Sequence, residues 1–121
     1  MSTLQIDTLA ERDGSESVPV DTVIHGSAKA WVNFNGTGTV AIRSAFNVAN
    51  ITDLAVGQYQ VNFAVPMPSP DFAVTAAGFR SSGNEGVVNP ESYTTGSVTV
   101  NCTTGSGSEA DFLMVSLAIF R

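Results

Sequence analysis

The chain has 121 residues, of which 43% are hydrophobic and 13% charged, and its net charge is −6. Its length and apolar content suit one domain with a buried core and argue against general disorder. The acidic balance argues against a nucleic-acid ligand, because phosphates are neutralised by Lys and Arg. No apolar run is long enough to predict membrane insertion. The first residues lack the basic and apolar regions of a signal peptide, so we expect synthesis in the cytoplasm.

Residues 1–26 differ in composition from the rest and are interpreted as an N-terminal arm. They contain no Phe, Trp or Tyr and carry five carboxylates against one arginine. Leu4 and Ile6 alternate with polar residues, which favours a short strand, and no apolar face persists at the helical period. We expect Leu4, Ile6 and Leu9 either to anchor the arm to a neighbouring protein or to wrap it around its own domain.

Period-two alternation of apolar and polar residues predicts a series of strands beyond the arm. In chain order these are residues 28–35, 39–43, 58–65, 72–79, 97–103 and 112–120. No helix is predicted.

The segments between these strands are predicted to be turns and loops. Residues 44–53 are expected to form an irregular loop with Phe46, Val48 and Ile51 pointing inward. Residues 80–91 are expected to form a polar loop. The three prolines within residues 66–70 exclude a central strand, and residues 105–108, GSGS, are expected to connect two strands of a hairpin. Residues 27–121 are therefore predicted to be an all-β knob domain, either a small antiparallel sandwich or a partly open barrel.

The last predicted strand is apolar on both faces, and both faces should therefore be covered. One face carries Leu113, Val115, Leu117 and Ile119. The other carries Phe112, Met114, Ala118 and Phe120. One face can pack on a second sheet, and the other requires a loop or another subunit. We predict an oligomer interface at the first set of residues; a central strand covered by long loops is the alternative.

Residue types that support catalysis or metal binding are scarce. The single histidine, His25, is interpreted as a hinge beside Gly26, since no serine lies in a nucleophile-elbow glycine pattern. Cys102, the single cysteine, alternates with valines and should be buried, where it acts as a small hydrophobic group. Glu109 and Asp111 can bind a cation or flank a sugar, but two acids at a strand start are usually hydrated. No catalytic residue, metal or cofactor is predicted.

Trp31 is the best candidate for a ligand contact. It shares the polar face of its predicted strand with Asn33 and Asn35, and an exposed aromatic ring among amides can stack on a sugar. In the alternative, which we favour, Trp31 packs under the loop that we expect near residues 47–55.

Residues 29–39, KAWVNFNGTGT, resemble a small β-rich module of bacteriophage virion surface proteins. Ile42 and Arg43, residues 46–48 and 51–53, and the second Val-Asn-Phe string at 61–63 extend the resemblance. Such modules lie at tail-fibre tips and in other virion surface proteins. The resemblance implies a non-enzymatic virion part that forms a homotrimer, and it covers nothing from Phe79 onward.

The resemblance and the arm together predict a function. We expect a trimeric capsid decoration (cement) or head-fibre protein on the virion surface, attached to the major capsid protein by its arm. Such modules usually form the end of a long fibre chain, whereas here a short acidic arm precedes the module. This arrangement suits a capsid decoration or head-fibre protein at least as well as a tail-fibre tip. The alternative is a tail-fibre tip that binds a host surface receptor such as a glycan.

Overall fold

The computed structural model describes residues 1–81 and 86–121. Within these residues, the arm contains two short strands and a helix, and the knob contains eight strands. In chain order the elements are β1 (Thr8–Ala10), β2 (Ser17–Pro19), α1 (Val20–Gly26), β3 (Ala30–Asn35), β4 (Ala41–Phe46), β5 (Val48–Ala55), β6 (Gln58–Phe63), β7 (Ala73–Phe79), β8 (Gly86–Tyr93), β9 (Ser97–Thr104) and β10 (Met114–Phe120).

The knob is a sandwich of two four-stranded antiparallel sheets. The first sheet has the order β4-β3-β10-β7, and the second has the order β5-β6-β9-β8. The sheets do not close into a barrel, so the sandwich is the correct one of the two predicted architectures. In the first sheet β3 and β10 are the central strands, which brings the beginning and the end of the knob together.

Alternate residues of the central strands fill the space between the sheets. In the first sheet the inward residues of β3 and β10 are fully or almost fully buried, and so are those of β6 and β9 in the second sheet. The Phe34 and Tyr59 rings meet edge to face across the sandwich, with ring centres 5.3 Å apart. One continuous apolar cluster therefore joins the two sheets.

Asn47 turns the chain from the first sheet into the second. Its backbone φ is +53°, a conformation that asparagine tolerates better than most residues. Its side-chain Oδ1 accepts a hydrogen bond from the Val65 backbone N–H at 2.7 Å, and its Nδ2 donates to the Lys29 carbonyl at 3.1 Å. These hydrogen bonds fix the corner to the residues that precede β3 and to those that follow β6.

The prediction of an irregular loop at residues 44–53 is wrong. This stretch contains the end of β4, the Asn47 corner and most of β5. Phe46 was expected to point inward, but its side chain is 53% exposed. β4 and β5 are edge strands, where burial on the inner face is incomplete and the apolar alternation is correspondingly weak.

The predicted loop at 80–91 and the predicted hairpin at 105–108 also need correction. Residues 86–91 belong to β8, which tolerates Pro90 because it is an edge strand; residues 82–85 of that prediction lie outside the described part of the chain. Residues 105–108 do form a tight turn, with Thr104 N–H donating to the Ser108 carbonyl at 2.8 Å. An antiparallel bridge between Thr103 and Glu109 makes this turn a short local hairpin. It does not pair β9 with β10, because these strands belong to different sheets.

Candidate assembly surfaces

The arm has local structure but no core of its own. β1 and β2 form a hairpin in which Leu9 lies opposite Val18, and α1 follows directly. This seven-residue helix was not predicted, and none of its residues is buried. Leu4 is 81% exposed and Leu9 is 52% exposed. The arm's apolar side chains therefore do not wrap their own knob.

The helix is attached to one end of the first sheet. His25 Nδ1 lies 3.1 Å from the Arg121 backbone oxygen, which follows β10. The Lys29 ammonium donates to the Ser27 carbonyl at 2.7 Å and to the Ile24 carbonyl. A lysine at the C-terminal end of a helix complements the partial negative charge of the free carbonyls there. His25 thus lies at the junction of arm and knob, where the sequence predicts a hinge.

Trp31 lies on the outer face of the first sheet. Its side chain is 39% exposed, and Phe46 lies directly opposite it on β4. The favoured prediction that Trp31 packs under residues 47–55 is wrong, because that segment leads into β5 of the other sheet. An exposed aromatic pair remains on this face, and the exposure of Phe46 was not foreseen from the sequence.

The two asparagines predicted to act with Trp31 are engaged within the chain. Asn35 Oδ1 accepts hydrogen bonds from the Thr37 N–H at 3.0 Å and the Thr37 hydroxyl at 2.6 Å, which shapes the turn after β3. Asn33 Nδ2 donates to Ser116 Oγ at 3.2 Å, and Asn33 Oδ1 accepts from Arg43 at 3.3 Å. Of the three predicted ligand contacts, Trp31 offers the most exposed surface.

Most residues of the predicted oligomer interface on the last strand are buried within the chain itself. Val115 and Ile119 are fully buried and Leu117 is 3% exposed, because they point into the sandwich core. Leu113 precedes β10 and is exposed. The opposite face of β10 carries four half-buried residues, Met114, Ser116, Ala118 and Phe120. That face points outward, beside the small residues Thr75 and Ala77 of β7, and forms a shallow apolar groove with them.

The outer face of the second sheet has a different chemistry. It is covered by amides and hydroxyls that bond to one another across the strands. Asn62 Nδ2 donates to Asn50 Oδ1 at 2.8 Å and to Thr52 Oγ1 at 2.9 Å, and Gln60 Nε2 donates to Ser97 Oγ at 3.2 Å. This face is therefore polar and largely uncharged.

Charge is divided between the two sheets. The segments that build the first sheet and its ends, residues 27–47, 72–81 and 112–121, contain Lys29, Arg43, Arg80 and Arg121 and no Asp or Glu. The segments of the second sheet and its connections, residues 48–71 and 86–111, contain no Lys or Arg. Their acids are Asp53, Asp71, Glu91, Glu109 and Asp111. The side of the sandwich built on the first sheet is thus cationic. The other side is anionic through its edge strands and connections, whereas the centre of its outer face, described above, is uncharged.

Asp111 serves as a structural acceptor at the end of the sandwich remote from the arm. Its Oδ1 accepts from the Gly57 N–H at 2.9 Å and lies 2.9 Å from the Tyr59 hydroxyl, which is also 2.8 Å from the Gly36 carbonyl oxygen. Burial, with the nearby Asp111 carboxylate, raises the pKa of Tyr59. Glu109 accepts from Gln58 Nε2 at 3.1 Å. These bonds give both acids a role within the fold.

The environment of Cys102 opposes nucleophilic chemistry. The thiol is fully buried, and burial together with the Asp111 charge raises its pKa to about 12. It is therefore protonated at neutral pH.

Within residues 1–81 and 86–121, no three side chains of the metal-binding types lie together as a candidate ion site. In the same ranges, no helix has the length and hydropathy needed to cross a membrane.

No protein-family model matches the chain, and no match was found among curated proteins or solved structures.

Proposed function

We propose that this protein is a non-enzymatic structural protein of a bacteriophage virion. In this proposal it is a homotrimeric capsid decoration or head-fibre protein on the virion surface, held to neighbouring capsid subunits by its N-terminal arm. The observation that carries the proposal is the arm itself, which is formed in residues 1–26 but buries none of its apolar side chains on its own knob.

The arm is too small to be stable without a neighbour. A two-stranded hairpin is at best marginally stable in water, and so is an isolated helix of seven residues. Leu4, Ile6 and Leu9 are exposed side chains whose burial against another protein would supply the missing stabilisation. A segment of this kind acquires its free energy of folding from the surface that it binds.

Two further features support a place in a virion. The strand and turn residues 29–39 resemble those of phage virion surface modules, as described above. The knob supplies a compact body that carries the arm at one end, beside His25 and Arg121.

The proposal is tested by counting copies per virion. Purified particles would be analysed by quantitative mass spectrometry against the major capsid protein as the internal reference. A copy number comparable with that of the capsid protein supports decoration of the head. A few copies per particle would move the protein to the tail, and complete absence would overturn both virion roles.

The exposure of Trp31 and Phe46 favours a second candidate, a tail-fibre tip that binds a host surface glycan. Neighbouring exposed rings offer a platform on which a sugar can stack. If this candidate is correct, purified protein should occupy the host receptor and inhibit adsorption of the phage. The Trp31→Ala variant should no longer inhibit adsorption. A Leu54→Ala variant, changed at an exposed apolar residue of the other sheet, serves as the control. Adsorption that is unaltered by the unmodified protein would count against receptor binding.

A further inference from the structure

We propose that the acidic arm of one copy docks on the outer face of the first sheet of a second copy. The inference rests on the arm being an assembly segment, as in the proposed function, and it names the partner that builds the oligomer. The hairpin face with Leu9 and Val18 makes this contact, which leaves Leu4 and Ile6, earlier in the same arm, to hold the assembled oligomer to the capsid.

Charge identifies the first sheet as the receiving surface. The arm carries five carboxylates against one arginine. Arg43 lies in the first sheet and Lys29, Arg80 and Arg121 adjoin the ends of its strands, and the segments that build this sheet contain no Asp or Glu. Arg43 holds its charge on the outer face, where its guanidinium donates to Asn33 Oδ1 at 3.3 Å and to the Leu113 carbonyl at 2.7 Å. Complementary charge of this kind sets partner choice and orientation at an interface.

Apolar surface is also matched between the two elements. On the arm, Leu9 and Val18 lie side by side on one face of the hairpin, and both are exposed. On the sheet, Trp31 and Phe46 form an exposed pair beside the shallow groove between β7 and β10. Exposed aromatic residues next to a groove of small side chains are the usual anchors of a protein interface.

The other pairings within the described molecule are less favourable. Docking of one arm on another arm would bring like charges together. Docking of an arm on the side of the second sheet would do the same, because that side is acidic as well. The arm does not fold back on its own first sheet, since none of its residues is buried there. In this arrangement the arm of each copy contacts a different surface, the first sheet, on the next copy, so the interface is heterologous. When each copy is rotated suitably relative to the last, repeated contacts of this kind close into a ring.

The experiment measures the oligomeric state of the purified full chain by light scattering after gel filtration, over a range of protein concentrations. We expect an oligomer that dissociates more readily as salt is raised. Phe46→Glu, which places an acid on the receiving face, should weaken association at least about tenfold because it faces the acidic arm. Leu54→Glu is the matched control, since Leu54 is 50% exposed on the second sheet and should leave association nearly unchanged.

An arm variant completes the test. Leu9→Glu should weaken association as Phe46→Glu does, and circular dichroism of both variants should show an intact knob. A monomeric full chain, or equal effects of Phe46→Glu and Leu54→Glu, would overturn the inference. A protein that is monomeric in solution but abundant on virions would contradict this inference and the homotrimer, and would leave only the proposed attachment to the virion standing.

Discussion

The knob and the arm differ in where their stabilisation comes from. In the knob, Phe34, Tyr59 and Ile119 belong to one continuous buried cluster shared by two sheets. In the arm, Leu4 and Leu9 are exposed, and no residue is buried. The knob therefore contains the interactions that fold it, whereas the arm has its apolar surface available for another molecule. Substitutions at buried knob positions should therefore lower the free energy of unfolding far more than substitutions at exposed positions.

The largest expected effect is at the centre of the knob. Phe34→Ala removes a fully buried ring, and the cavity and lost burial should lower the free energy of unfolding by about 3–5 kcal/mol. Phe46→Ala, at a ring that is 53% exposed, should change it by about 0.5 kcal/mol or less in the monomer. Urea denaturation followed by circular dichroism measures both values. Similar losses in the two variants would contradict the assignment of core and surface.

The hydrogen bonds at the far end of the sandwich should come next. Tyr59→Phe keeps the buried ring but removes the hydroxyl that lies between the Gly36 carbonyl and Asp111. A buried acceptor left without its partner costs about 1–3 kcal/mol, so stability should fall by that order. Tyr93→Phe, at a residue that is 38% exposed, is the control and should have little effect. No loss in Tyr59→Phe would show that these bonds do not stabilise the fold.

The buried Cys102 thiol and Tyr59 hydroxyl predict a loss of stability in alkali. The pKa of Cys102 is raised from its ordinary value of 9.0 to about 12, and the pKa of Tyr59 is raised above its ordinary value as well. Between pH 9 and 12 the unfolded chain therefore binds fewer protons than the folded chain, so the free energy of unfolding falls as pH rises. Cys102→Ala should flatten part of this decline in urea titrations taken across that range. An unchanged slope would contradict the role of the thiol.

Removal of the arm should affect the knob least. Without residues 1–26 the free energy of unfolding of the knob should change by about 0.5 kcal/mol or less, since no arm residue is part of its core. The comparison must be made at low protein concentration, where oligomer formation contributes little to stability. A loss of several kcal/mol would mean that the arm packs on its own knob in solution.

The sequence predicts the centre of the fold better than its margins. The inner strands β3, β6 and β9 follow from alternation of apolar and polar residues, and in β3 and β6 burial alternates in the same way. The inner strand β10 follows from its continuous run of mostly apolar residues. For the edge strands β5 and most of β8 the sequence pattern predicts loops, since their inner faces are only partly buried and Pro90 lies within β8. The seven-residue helix α1 buries nothing and therefore has no apolar periodicity to reveal it.

The surfaces are less predictable because they depend on which segments meet. Both faces of β10 are apolar, so the sequence alone does not show that Val115 points inward and Phe120 lies on the outer side. The cationic side of the sandwich combines Arg43, Arg80 and Arg121 from distant parts of the chain, and it becomes visible only when the strand order is known. The anchoring residues Leu4, Ile6 and Leu9 remain a prediction from composition, to which the structure adds their exposure.

The central claim is that the arm holds the protein to the virion surface, and a binding measurement on particles tests it most directly. Virions lacking this protein would be incubated with the full chain or with residues 27–121 alone, and the bound fraction would be measured by co-sedimentation. We expect the full chain to sediment with the particles and the knob alone to remain in the supernatant. Saturating attachment of the knob without its arm would contradict the account.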